Sequence, residues 1–190
     1  MSEIPNVRLK LANRLQDVAV VRALLLGLAE TLGLDALASD DLCTAVTEVC
    51  KNVVYHAYEG QEGPLELEIY TYAGAVEAVV RDHGIGIRPH VGERTLPHTG
   101  IGLPIVHALT QRVAYANIEG GGTEVRMRFA LPGAVALEPL DTHELQPGEL
   151  DPADAESPIE LTLAPSALAA SLLPQVRRAM RSSGASDPRG

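Results

Sequence analysis

Three short clusters in this chain hold residue types that do chemistry. Asp82-His83-Gly84-Ile85-Gly86 follows an apolar run. A carboxylate at a strand end can accept a hydrogen bond from an amine, and glycines two apart let the backbone approach a ligand closely. His98-Thr99-Gly100-Ile101-Gly102-Leu103 leads into Pro104; proline fits the first turn of a helix, and the free N–H groups there can hold a phosphate. Glu48, Asn52 and His56 recur at intervals of four through TEVCKNVVYHAYEG, an otherwise apolar stretch. At 100° per residue, Tyr55, Glu48, Asn52 and His56 share an arc of about 100°. That arc flanks the stripe of Leu42, Val46, Val49 and Val53 and looks into a cleft at its edge. Taken singly, the first cluster is also an ordinary turn and the third a solvated helix flank.

The elements that must position these clusters are legible from periodicity. VRLKLA alternates as a strand does, and Leu15, Val18, Val21, Leu25, Leu28 and Leu32 recur at helical spacing. Ser39-Asp40-Asp41 reads as a capping hydroxyl followed by acids, which opens the helix carrying Glu48. LELEIYTY and AVEAVVRD alternate around Ala-Gly as a hairpin, LPIVHALTQ is a helix, and RVAYANI and GTEVRMRFAL form a second hairpin around Glu119-Gly-Gly-Gly. Antiparallel strands with segregated helices predict an α+β fold. It is a two-layer α/β sandwich whose mixed, mainly antiparallel sheet is covered by helices on one face.

Bulk properties narrow the function classes. The chain has 190 residues, 46% hydrophobic and 3% aromatic, with no Trp, so Leu, Val, Ile and Ala must build the core. A formal charge of −10 argues against a nucleic-acid surface. No apolar run reaches the ~20 residues of a membrane span, and MSEIPNVRLK lacks a signal-peptide segment; a cytoplasmic location is expected. Cys43 and Cys50 stand seven apart, roughly 10 Å along one helix, too far for a disulfide and expected as reduced core thiols. His83, His90, His98, His107 and His143 show no zinc-ligand spacing. GIGIRP lacks the third glycine of a dinucleotide loop, and no G-x-x-x-x-G-K-[ST] phosphate loop occurs. Composition changes near Pro132, and 7 of the 13 prolines follow it. Residues 1–132 are expected as the folded domain. Residues 133–190 are expected as an acidic, Pro-rich, disordered tail with a short helix over 166–181.

Order and spacing join the clusters. E-x-x-x-N-x-x-x-H-A-Y, then D-x-G-x-G after a strand, G-x-G-L before a helix and G-T before a last strand resembles the Bergerat ATPases, the gyrase and histidine-kinase superfamily. Within it, His56-Ala57-Tyr58 and the compact domain look most like the bacterial anti-sigma-factor serine kinases. The resemblance covers residues ~5–132. It implies that ATP and Mg²⁺ bind, with Glu48 as general base, Asn52 as a Mg²⁺ ligand through its carbonyl and His56 beside the nucleotide. Asp82 would accept from the adenine amino group, with Thr123 beside it, while Gly84 and Gly86 admit base and sugar. Residues Arg88 to Thr99 would form a lid, and Gly100, Gly102 and Leu103 would lie under the phosphates. The implied activity is transfer of the γ-phosphate to a serine of an anti-sigma-factor antagonist, with sequestration of a sigma factor and a homodimeric assembly. A nucleotide-dependent binding module without turnover, and a switch kinase that activates a phosphatase, are the alternatives. The lid is short, and Thr99 stands where relatives often carry a basic residue.

Overall fold

The protein's structure, a computed structural model, describes residues 5–86, 102–131 and 160–163, together with Pro174, Arg178 and Ala179. In chain order the elements are β1 (Val7–Ala12), α1 (Leu15–Thr31), α2 (Ala36–Asn52) and a π-helical turn (Val53–Ala57). Then come β2 (Pro64–Tyr72), β3 (Ala75–Asp82), α3 (Gly102–Leu109), β4 (Arg112–Asn117), β5 (Thr123–Ala130) and β6 (Glu160–Leu163). The strands form one sheet in the order β4-β5-β3-β2-β1-β6, and all five ladders between them are antiparallel. The α+β class expected from the periodicity is the class observed.

Alternation decides which face of each strand is buried. Leu65, Leu67 and Ile69 of β2, Val76, Ala78 and Val80 of β3, and Val125, Met127 and Phe129 of β5 join one core with Val21, Leu24, Leu25 and Leu28 of α1 and Leu42, Val46 and Val49 of α2. Leu15, expected in the α1 stripe, is 54% exposed: it is the first residue of the helix, and burial begins at Asp17 and Val18. Cys43 and Cys50 are buried free thiols, as their spacing predicts.

The other sheet face carries paired charges. Glu68 is 4% exposed and accepts hydrogen bonds from Arg8 (2.9 Å), Arg81 (2.6 Å) and the Tyr70 hydroxyl (2.9 Å). Burial works to raise its carboxyl, but the bonds from Arg81, Tyr70 and Arg8, with the Arg81 charge, hold it below the usual carboxylate range. Arg81 also binds Glu124, and Arg126 bridges Glu124 and Glu77.

Three features depart from the sequence reading. Helix α2 starts at Ala36, one turn before Ser39, because Asp35 accepts a hydrogen bond from the Ala38 N–H at 2.8 Å and caps it. Ser39 therefore lies inside the helix, its N–H bonded to the Asp35 carbonyl. Beyond Asn52 the backbone widens into the π turn, so stepping by 100° holds only up to that residue. Finally, the sheet does not end at 132. Strand β6, from the region expected to be disordered, pairs with β1 from Val7↔Leu163 to Lys10↔Glu160, satisfying an edge that would otherwise lie open. Of the helix expected over 166–181, Pro174, Arg178 and Ala179 are helical, and Ala179 packs on the core. Its other positions, and the linker expected over 133–158, lie outside the described residues.

Candidate functional site

The end of β3 shows how the clusters meet. Alternation from Val76 through Ala78 and Val80 puts the Asp82 side chain on the helix-covered face, where it is 3% exposed. On β5, the same alternation back from Val125 places Thr123 on that face, and Thr123 pairs with Asn117 of β4. Arg81 pairs with Glu124, so Asp82 and Thr123 stand side by side where their strands meet. Asp82, Thr123 and Asn117 thus share one face and one end of the sheet.

The turn after Asp82 is fixed from several directions. Asp82 Oδ1 accepts the Gly84 N–H at 2.9 Å. The Ile85 N–H donates to the Ala57 carbonyl at 2.9 Å, and the His83 N–H donates to the Tyr58 hydroxyl at 2.8 Å. A β-carbon at Gly84 would collide with the Ala57 carbonyl, and one at Gly86 would lie 2.9 Å from Asn117 Oδ1. Gly122, with φ +100°, packs its α-carbon on the Asp82 carbonyl in a backbone conformation that side chains disfavour. Glycine is required here because three backbone segments touch.

These contacts tie the turn to the helix that carries the polar line. Glu48, Asn52 and His56 are all partly exposed on the run from α2 into the π turn, at the end that meets Gly84 and Ile85. Glu48 pairs with Lys51 at 3.1 Å. The His56 ring tilts against Tyr55, centroids 6.2 Å apart. Val53 and Ala57, each one residue past a member of the polar line, are buried and hold the run against the core. Helix α3 begins at Gly102 and packs on α2, with Leu103 47% exposed near its start. The structure therefore brings Asp82, Gly84, Gly86 and Thr123 together with the end of the helical run that bears Glu48, Asn52 and His56. Thr99, Gly100 and the lid expected over 88–99 lie outside the described residues. A groove of about 310 Å³ lined by Asp35, Leu37, Asp41, Leu109 and Phe129 sits at the opposite end of α2 and is separate from this site.

Sequence reasoning missed three contributors. Tyr58 appeared only as the last letter of His-Ala-Tyr, although its hydroxyl holds the Asp82 turn. Asn117 had no signal beyond its place at the end of a strand. Gly122 was read as the start of a strand, whereas its missing side chain is what lets the β4–β5 turn touch Asp82. For Gly122 a signal existed: three consecutive glycines are more than a two-strand hairpin needs.

The arrangement offers a buried carboxylate at the base of a turn and a partly exposed carboxamide and carboxylate on the adjoining helix. A purine amino group suits the first, and a hard cation with phosphates suits the second. Asn52 fits Mg²⁺ chemically: its carboxamide offers a carbonyl oxygen, and Mg²⁺ keeps waters and phosphates for the rest of its shell.

Comparison with known proteins covers the same part of the chain. The family described as histidine kinase-like ATPase domain matches residues 11–129. Serine-protein kinase RsbW of Bacillus cereus (strain AH820) is 26% identical over 132 residues, spanning 63% of this chain and 82% of that protein. RsbW of Bacillus mycoides (strain KBAB4) is 25% identical over the same spans. Among solved structures, the RsbU and RsbW domains of Rv1364c from Mycobacterium tuberculosis align over 69% of this chain and 35% of that one, with TM-score 0.47 and 19% identity.

Proposed function

The chain belongs to the histidine kinase-like ATPase domain family, and on that premise we propose that it is an anti-sigma-factor serine kinase. It binds ATP with Mg²⁺, phosphorylates a serine of an antagonist protein, and sequesters a sigma factor according to the antagonist's phosphorylation. The observation that carries this reading is the docking of the Asp82–Gly86 turn on the helical run that bears Glu48 and Asn52. The 26% identity to RsbW serine-protein kinases supports the substrate class.

In this reading Asp82 accepts from the adenine amino group, with Thr123 beside it. Its Oδ1 is held by the Gly84 N–H, which leaves Oδ2 for the ligand. Gly84 and Gly86 keep the turn flat against its neighbours. His56, Gly102 and Leu103 line the nucleotide, joined by Thr99 and Gly100. Asn52 would supply the protein's share of the Mg²⁺ ligands, and the bound ion would offset phosphate charge. Glu48 takes the proton of the serine hydroxyl as that oxygen forms its bond to the γ-phosphorus; the bond to the β–γ bridging oxygen breaks and ADP leaves. Positioning and charge neutralisation supply most of the rate. The protein acts in the cytoplasm, as a homodimer, with no nucleic acid or membrane as direct partner. Among the described residues, no helix is long and apolar enough to cross a membrane.

Calorimetric titration of ATP–Mg²⁺ into the protein and into Asn52→Ala tests the site. Micromolar binding, about −8 kcal/mol, that is lost in the variant is the expected result; no binding by the unmodified protein removes the reading. One observation favours a nucleotide-dependent binding module instead: Glu48 is engaged by Lys51 in an ion pair. Phosphate transfer to an antagonist serine separates the two, and stimulation of a phosphatase would mark a switch kinase.

A further inference from the structure

We propose that Tyr58 is a positioning residue that sets the base selectivity of the nucleotide site by clamping the Asp82 turn to the end of the π turn. The inference rests on the reading of Asp82 as the group that meets the purine amino nitrogen. Tyr58 is one residue past the π turn and 25 residues from His83 in sequence, yet its hydroxyl oxygen accepts the His83 N–H at 2.8 Å. The same hydroxyl donates its own proton to the Pro64 carbonyl at 2.5 Å. With the proton committed to Pro64, the oxygen's lone pairs are left for the His83 N–H, so the bond has one sense only. A β-carbon at Gly63 would strike the Tyr58 ring, so the ring packs directly on that glycine. Burial pushes the phenol up, against the pull of the His83 donor, so the hydroxyl stays neutral.

The consequence passes to Asp82 through the backbone. Two successive residues, Ala57 and Tyr58, hold the N–H groups of Ile85 and His83, which leaves the Gly84 N–H directed at Asp82 Oδ1. The Asp82–His83 peptide therefore has one orientation, and with it the carboxylate that must tell a 6-amino purine from a 6-oxo purine. Loss of the Tyr58 oxygen frees the His83 N–H at one end of that peptide. The rest of the fold keeps its core, since the phenol's hydrogen bonds among the described residues are to Pro64 and His83.

The test compares ATP with ITP, whose base carries an acceptor oxygen in place of the amino group, by calorimetric titration with Mg²⁺ into the full chain. The unmodified protein is expected to prefer ATP. Tyr58→Phe is expected to lose about tenfold in ATP affinity, the worth of one oriented hydrogen bond, while ITP affinity stays within about twofold. An unchanged ATP-to-ITP ratio overturns the proposal, and a ratio unchanged because both affinities fall equally marks a merely structural tyrosine. Binding of neither nucleotide by the unmodified protein defeats the ATP reading itself and this inference with it. Should Tyr58→Phe fail to fold, the His83 amide of the unmodified protein decides. Hydrogen exchange there is expected to slow on adding ATP and not ITP, and equal protection by both would overturn the assignment.

Discussion

Lys51 Nζ lies 3.1 Å from Glu48 Oε2, one turn along the same helix, so the carboxylate proposed to take the serine proton already has a cation beside it. A half-exposed pair of this kind contributes only about 0.3–0.5 kcal/mol to stability. Chemistry and stability therefore separate cleanly here. Glu48→Gln is expected to reduce phosphate transfer by at least about 100-fold, to leave ATP affinity within a few-fold and to leave the melting temperature nearly unchanged. Lys51→Met is expected to keep most of the transfer. Radiolabel transfer to the antagonist, with calorimetry on each variant, checks both; normal transfer by Glu48→Gln would remove Glu48 as the base.

Gly84 and Gly74 make a matched pair of glycine tests. Gly74 sits in the β2–β3 turn with φ +76° and nothing near a would-be side chain, so Gly74→Ala is expected to cost about 1 kcal/mol from backbone strain alone. Gly84→Ala must push the turn off the Ala57 carbonyl, with an expected cost of about 2 kcal/mol or more and loss of ATP binding. Urea unfolding of the two variants gives the comparison, and equal costs would show that the close contact is not tight.

Acid stability should track the charged face of the sheet. Glu68 and Glu124 are both held below the usual carboxylate range in the folded protein. Their contribution is present in full above the unfolded carboxylate value, about 4.3, and is lost as pH falls through the lower folded values. Melting temperatures measured from pH 7 to pH 3 should fall over that window. Glu68→Gln should flatten the fall while costing about 2–3 kcal/mol at neutral pH, because Arg81 loses its buried partner. An unaltered acid limb in the variant would remove Glu68 from the account.

The thiols should be silent in the native state. Burial pushes Cys50 up to about 12 and raises Cys43 as well, so neither offers a thiolate at pH 8. A colourimetric disulfide reagent is expected to report no fast-reacting thiol in the folded protein and two after denaturation. Prompt reaction of one thiol under native conditions would mean that its helix opens far more readily than its burial implies.

Deleting residues 133–190 should harm the remaining domain. It would remove β6 and leave the outer edge of β1 with unpaired backbone groups. Lower thermal stability and concentration-dependent association, read by light scattering, are expected. A truncated chain as stable and monodisperse as the full one would show that β6 contributes nothing.

Local patterns made much of this fold readable, and long-range contacts made the rest invisible. Strands β2, β3 and β5 announced themselves because one face is buried and the other carries Glu and Arg, which is alternation of the plainest kind. The start of α2 was misplaced at Ser39 because Ser-Asp-Asp and Asp35 are both good caps, and only the Ala38 N–H shows which is used. No local signal marks the π turn, since Ala57 is held there by Ile85, which lies 28 residues on. Glu48, Asn52 and Asp82 stood out as polar residues in apolar surroundings. Tyr58 did not, because its bond to His83 exists only once strand and helix have met. Four residues of β6 carry too little pattern to be recognised without β1 beside them.

The pairing of β1 with β6 also bears on when the fold is completed. The two strands are neighbours in the sheet but roughly 150 residues apart along the chain, a separation of the kind that slows folding. During synthesis β1, the helices and the β2–β3 and β4–β5 hairpins can assemble from segments already made, while the outer edge of β1 waits for residues 160–163 to emerge. For that interval the nascent protein carries an open strand edge, a template for its neighbours on the same message. Closure of that edge thus comes after the rest of the sheet has formed, and until then the growing chain carries the strand edge that β6 later covers.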